Sequence, residues 1–352
     1  MMEFEFNKRL PFLNKPENIA RYEDGVVYIL DRRIYPFEKK FVRCDTYEDV
    51  AVCVEKMVTQ SYGPKYACGY GMVLAAHALK NEKSEAMKEG LRKAADRLIK
   101  TRPTNDAVKI VVDYMYDNSM RIVDAGSDLE QGMLDAMYQF VIQDNQRMDR
   151  LGKVAASLIE DGDTILTHCW PDTTIAYTIA NVVEQGKRIQ AYCGETRPYL
   201  QGARLTANAI SELGVPVTVI NDNMTAHTMS LGRINKFFAG CDRLTMGGYV
   251  FNKVGTLQIA LCAKHFGIPV FIFSLGPDPK TKFVEDVINE ERDPNESLYC
   301  LGHRTATRGV SGFYPAFDVT PPELISGIVT DTGVYSPFLM KHYWEEHQAD
   351  GL

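Results

Sequence analysis

Apolar residues follow two rhythms along this chain. In the first part they recur mostly at helical intervals: Val50, Val54, Met57 and Val58 fall on one face. Thr46 with Glu48 and Asp49 marks the start of that helix. Residues 72–79 and the heavily charged residues 83–100 continue in the same spacing, and Thr104 is placed to cap the next helix, NDAVKIVVDYMY. Residues 60–71, QSYGPKYACGYG, break the pattern with glycine and proline. They read as a packing turn, or as two close glycines offering backbone N–H groups to an anion. Two apolar runs, 25–30 after the Asp24-Gly25 turn and 40–44, read as short strands. Residues 1–15 form an irregular aromatic and basic arm, and residues 128–156 one long helix leading to a second domain.

From about residue 161 the rhythm becomes strand–helix alternation. Apolar runs at 164–167, 188–193, 217–220, 237–241 and 270–273 each end in polar or reactive residues, with helical segments such as 201–213 and 256–266 between them. Repeated βα units with short apolar strands predict a parallel sheet wrapped by helices. The expected fold class is therefore α/β. A Rossmann-like domain over 129–352 follows a smaller, mainly helical domain with short strands over 1–128. The GxGxxG fingerprint after the first strand is missing, so a nicotinamide cofactor is not indicated.

The 352 residues carry 39 basic and 46 acidic side chains, a net charge of −7 that argues against a nucleic-acid surface. No apolar run reaches the ~18 residues of a membrane helix. The eight cysteines, at 44, 53, 68, 169, 193, 241, 262 and 300, contain no CxxC pair, so no metal site is expected from them. No signal-peptide pattern opens the sequence, so reduced thiols and a cytoplasmic location are expected.

Chemistry gathers at the strand ends, where an open parallel sheet binds its ligands. In residues 237–256, FFAGCDRLTMGGYVFNKVGT, the strand stops at Asp242-Arg243. A Gly-Gly turn follows, and residues 252–256 are read as opening the next helix. Cys169 follows another strand, where a helix N-terminus lowers a thiol pKa; alone, it reads equally as a small buried hydrophobe. With Asp242 facing it, thiol and carboxyl make an acid–base pair. The 195–198 and 201–204 segments supply donors and fixed charge suited to a phosphorylated ligand, or an ion-paired hinge.

Several of these segments resemble one family. CGETRPYLQGARLTA at 193–207 is similar to the ETRP-x-x-QGARLTA run of methylthioribose-1-phosphate isomerases, relatives of the regulatory subunits of initiation factor 2B. Residues 240–256 resemble its GADRI…NGDVANKIGT, and Thr167-His168-Cys169 its THC. Arg102-Pro103-Thr104 resembles its RPT, YPAFDVTPPEL at 314–324 its NPAFDVTP-x-x-L, and ILDRRIYP at 29–36 its LDQ-x-x-LP. The resemblance implies an aldose–ketose isomerase that opens a furanose 1-phosphate to a ketose 1-phosphate, with Cys169 and Asp242 as the catalytic pair. Arg102, Gln201, Asn252 and Lys253 would hold phosphate or sugar. It also implies a phosphorylated pentose substrate, no cofactor, and a homodimer formed by the sheet domain.

Two departures bear on the substrate. The family's RGAPAIG segment is replaced by QSYGPKYAC at 60–68, without the arginine expected to touch phosphate. Lys65 is the candidate replacement for that charge. The family's HCNAG becomes His168-Cys169-Trp170-Pro171-Asp172, so Trp170 is expected to shape the sugar pocket. Alternatives within enzymes are isomerases of 5-deoxyribose 1-phosphate or ribose 1,5-bisphosphate. A non-catalytic sugar-phosphate-binding regulator is the alternative from another class.

Overall fold

The computed structural model describes residues 4–102, 106–287 and 291–347, and they form two compact units, Met1–Arg147 and Met148–Leu352. The expected boundary lay before residue 129. The units instead divide inside a long helix, because Met133, Met137, Phe140 and Val141 belong to the N-terminal core.

In the N-terminal unit, short 3₁₀ turns at Glu5–Arg9 and Phe12–Asn14 stand where an irregular arm was expected, and the single-turn helix α1 (Pro16–Ile19) follows it. A three-stranded antiparallel sheet follows: β1 (Ala20–Glu23), β2 (Val26–Leu30) and β3 (Phe41–Cys44). Helix α2 (Tyr47–Glu55) begins at Thr46, whose hydroxyl accepts the Asp49 N–H while the Asp49 carboxylate accepts the Thr46 N–H, a reciprocal cap. Helix α3 runs from Gly63 to Leu79 without a break. The packing turn expected over residues 60–71 is thus confined to its first residues. Pro64 sits in the first turn, where its missing N–H costs nothing. Gly69 and Gly71 are helix-interior positions of close contact, so their amides do not form an anion loop. A Cβ on Gly69 would stand 2.4 Å from the Met137 sulfur, and one on Gly71 3.1 Å from Leu98. Helices α4 (Ser84–Ile99), α5 (Asp106–Asp124) and α6 (Leu129–Ser157) complete the unit; the expected cap at Thr104 lies outside the described residues.

The C-terminal unit is built on seven strands. They are β4 (Thr164–His168), β5 (Gln190–Gly194), β6 (Val217–Ile220), β7 (Lys236–Ala239), β10 (Val270–Phe273), β14 (Gly327–Val329) and β15 (Val334–Tyr335). Their order is β15-β14-β10-β7-β4-β5-β6. All neighbours are parallel except β14 and β15. Helices α7 (Thr173–Glu184), α8 (Ala207–Glu212), α9 (Thr225–Ser230) and α10 (Thr256–His265) lie between the strands, and α11 (Met340–His347) closes the described chain. Successive residues Phe237 and Phe238 are both fully buried but belong to different core clusters, as alternating faces of a covered strand require. The order reverses between β4 and β7, the switch point where doubly wound sheets bind ligands.

One expectation is corrected here. Asn252 and Lys253 do not open a helix: they end β9 (Val250–Lys253), the middle strand of a separate antiparallel sheet with β8 (Arg243–Leu244) and β13 (Phe317–Thr320). Two further strands, β11 (Tyr299–Cys300) and β12 (His303–Arg304), pair as a small hairpin. Pairing with β13, some sixty residues away in sequence, overrides the local pattern.

Within the N-terminal unit, Lys65 is 4% exposed and its ammonium lies 2.6 Å from Asp144 Oδ1. The Tyr66 hydroxyl donates to Asp144 Oδ2 at 2.6 Å, and Asn145 Nδ2 donates to the Tyr66 oxygen at 2.9 Å. Removing one partner of a buried pair strands the other charge. Lys65→Met is therefore expected to lower stability by about 3 kcal/mol in urea unfolding; an unchanged midpoint would show that the pair is not needed.

Candidate active site

Cys169 and Asp242 follow β4 and β7, the two strands that flank the switch point. Cys169 takes a left-handed backbone, φ 59°. Its N–H donates to Thr196 Oγ1 at 3.0 Å, and its carbonyl accepts from the Thr206 hydroxyl. Thr196, also left-handed at φ 63°, is held by its N–H donating to Asp222 Oδ1 at 2.8 Å, while Arg197 N–H donates to Asp222 Oδ2 at 2.8 Å. Asp222 thus fixes the turn that fixes the thiol-bearing backbone. The π-helical turn at Gly202–Thr206 follows Gln201, which is 4% exposed with its Oε1 unpartnered. Gly202 is obligatory there, since a Cβ would lie 1.8 Å from the Gly194 carbonyl oxygen.

Electrostatics oppose the expected reactive thiolate. Burial pushes the Cys169 thiol up to about 12, the Lys253 ammonium pulls the other way, and Asp242 and Asp222 add to the rise. The thiol therefore stays protonated at neutral pH, and the helix N-terminus does not win against desolvation. Asp242 is close enough for its charge to act on Cys169. It is itself exposed within this unit, however.

Lys253 is 7% exposed. Its ammonium has the Tyr314 hydroxyl at 3.4 Å and the rings of Tyr314 and Phe317 at 5.6 and 5.2 Å. No carboxylate lies within ion-pair distance of it among the described residues. Asn252, 5% exposed, donates from Nδ2 to Thr256 Oγ1 at 2.9 Å. Trp170 is 5% exposed, directly after the thiol. Arg102 and Lys65 belong to the other unit. There, Arg102 Nη1 lies 2.7 Å from the Met57 sulfur and Lys65 is engaged with Asp144.

Sequence reasoning did not single out four further residues. His168 is buried, which lowers its pKa and keeps it neutral. Its Nε2–H then donates to the Val254 carbonyl at 3.0 Å, and its Nδ1 has no partner. Gly255, at φ 108°, leaves room for that ring, as a Cβ would stand 3.0 Å from Nε2. Asp318 accepts the Gly255 and Leu257 N–H groups at 2.6 and 3.1 Å, capping α10 across the small sheet. Tyr314 stacks edge-on against Tyr199, whose hydroxyl donates to Glu296 at 2.6 Å. Asp222 was visible only as a polar strand end. The signal for Asp318 and Tyr314 was the 314–324 motif, read as resemblance rather than chemistry. Among the described residues, no three His, Cys, Asp or Glu side chains gather into a metal-binding group.

The fold is thus a doubly wound α/β unit that brings a thiol, a carboxyl group and a buried ammonium to its switch point. The chain belongs to the initiation factor 2 subunit family, whose model matches residues 64–337. It is similar to the methylthioribose-1-phosphate isomerase of Thermosipho africanus, with 37% identity over 88% of this chain and 92% of that one. Among solved structures it is similar to 5-methylthioribose 1-phosphate isomerase from Pyrococcus horikoshii, at TM-score 0.81 and 28% identity, over 97% of this chain and all of that one. The delta subunit of initiation factor eIF-2B from A. fulgidus is also similar, at TM-score 0.79 and 30% identity, over 91% of this chain and 96% of that one.

A protonated Cys169 has a measurable consequence. Its alkylation by iodoacetamide, followed by peptide mass spectrometry, is expected to be slow at pH 7 and to rise through pH 10. Lys253→Met should slow it further, because the opposing cation is gone. A rate already at its plateau at pH 7 would contradict the neutral thiol.

Proposed function

We propose that this chain is an aldose–ketose isomerase acting on 5-methylthioribose 1-phosphate in methionine salvage. The observation that carries the reading is the thiol and carboxyl set at the switch point beside a buried ammonium that has no carboxylate at ion-pair distance among the described residues. The isomerase names of relatives that match most of the chain support it. Lys253, Asn252 and Gln201 are assigned to phosphate and sugar, with Trp170 against the sugar. Arg102 and Lys65 are assigned to phosphate on the resemblance alone; the Lys65–Asp144 pair weighs against Lys65. A homodimer formed through the C-terminal unit and a cytoplasmic location belong to the same proposal. No described helix is long and apolar enough to cross a membrane.

The chemistry follows from the substrate. A phosphate on C1 locks the furanose, so the C1–ring-oxygen bond must break with its electron pair going to oxygen. In our reading Asp242 delivers the proton to that oxygen. Substrate seated over the exposed carboxyl removes it from water and raises its pKa, which readies the acid. Two routes then move hydrogen from C2 to C1. A proton shuttle requires thiolate at Cys169. A hydride shift requires only that the C2 hydrogen pass with its electron pair to the electron-deficient C1 while the Asp242 carboxylate takes the proton from the 2-hydroxyl. A thiol held up to about 12 is a weak source of thiolate, so the hydride shift fits better. The polarizable sulfur then lies beside the developing cation and excludes water.

Proton NMR of purified protein with 5-methylthioribose 1-phosphate tests the function. Turnover is expected, and Cys169→Ser and Asp242→Asn are each expected to reduce it at least about a hundredfold. Run in deuterium oxide, the reaction should place no solvent deuterium on C1; deuterium there would establish the proton route. Turnover only of the 5-deoxy or 5-phospho analogue would change the substrate. Binding without turnover of any of them would replace the enzyme by a sugar-phosphate-binding regulator.

A further inference from the structure

Away from the site, two cysteines meet in the N-terminal unit. Cys44 ends β3 and is fully buried; Cys53 lies on α2 and is 6% exposed. Their sulfurs are 3.6 Å apart, and either can donate to the other. Among the described residues no other two cysteine sulfurs come into hydrogen-bonding contact.

The chain between them is already folded back on itself. Cys44 is paired with Val27 of β2, and the reciprocal cap of Thr46 and Asp49 turns the backbone straight into α2. The Asp45 N–H also donates to Asp49 Oδ2 at 3.1 Å. Little ordering is therefore left for a bond between the two sulfurs. They must close from 3.6 Å to roughly 2.05 Å, within reach of side-chain rotation. The pair is also chemically asymmetric. The shared hydrogen bond holds Cys44 up as thiol and Cys53 down, and the nearby Arg33 guanidinium lowers Cys53 further. Cys53 is also the less completely buried residue of the two, at 6% against 0%.

We propose that Cys44 and Cys53 form an oxidisable dithiol, a modification site for low-molecular-weight disulfides, with Cys53 as the attacking sulfur and Cys44 as the resolving one. The Cys53 thiolate attacks one sulfur of a small disulfide such as oxidised glutathione, forming a mixed disulfide and expelling one thiolate. Cys44 gives its proton to that thiolate and attacks Cys53, expelling the second. The protein loses two protons and two electrons, and the small disulfide becomes two thiols. The product is a covalent tie between β3 and α2.

The test treats the full native chain with oxidised glutathione, quenches in acid, alkylates free thiols and maps peptides by mass. The wild type is expected to lose two hydrogens, yield a linked Cys44–Cys53 peptide, and return to the free thiols with dithiothreitol. Cys44→Ala should leave a stable glutathione adduct on Cys53. Cys53→Ser should give neither bridge nor adduct at Cys44, so the proposal stands on two independent variants. A persistent adduct on Cys53 of the wild type would overturn it. So would the absence of any modification at either residue while other cysteines react.

Discussion

A buried ammonium with no carboxylate at ion-pair distance among the described residues is the constraint on which the rest of the C-terminal unit depends. Taking a charge out of water costs several kcal/mol unless partners replace the water. Lys253 has one long contact to a phenol and two aromatic faces. The rings offset part of the cost through cation–π attraction, and the remainder is left for an anion to supply. The same ammonium opposes the burial that keeps Cys169 protonated, and it acts on His168 and Asp318. In the proposed isomerase this one charge links the phosphate to the thiol, the imidazole and the Asp318 carboxyl.

The fold delivers that charge by non-local means. Lys253 ends a strand held on one side by β8 and on the other by β13. Asp318, on β13, reaches back to cap the helix that follows. The thiol comes from the main sheet, where Asp222 pins the Thr196 turn and Thr196 pins the Cys169 backbone. Two sheets thus meet at the switch point, each supplying one reactive group on a rigid element.

Much of this was legible in the residues. Five of the six parallel strands were readable because each is a short apolar run closed by polar residues, and the Thr46 cap because its acceptors are local; β14 was missed. What escaped was set by distance or by context. The partner of β9 lies some sixty residues on, beyond α10, β10 and the β11–β12 hairpin, so a strand read as a helix start. Gly69 and Gly71 looked like a turn, but they are spaces for Met137 and Leu98. Lys65 looked like a free cation because Asp144, its partner, lies 79 positions on. Cys169 and Asp242 stood out by their place at strand ends, but their surroundings did not: burial keeps the thiol neutral, and the carboxyl is exposed within its unit. Burial is a property of the folded environment, and no local spacing reports it.

The most direct measurement is calorimetric binding of 5-methylthioribose 1-phosphate to the inactive Cys169→Ser protein with and without Lys253→Met. Methionine keeps the bulk of the side chain and removes only the charge. If the buried ammonium awaits the phosphate, the double variant should bind at least about tenfold more weakly. Equal affinity would contradict the account, for it would mean that the charge around which the site is arranged does not meet the ligand.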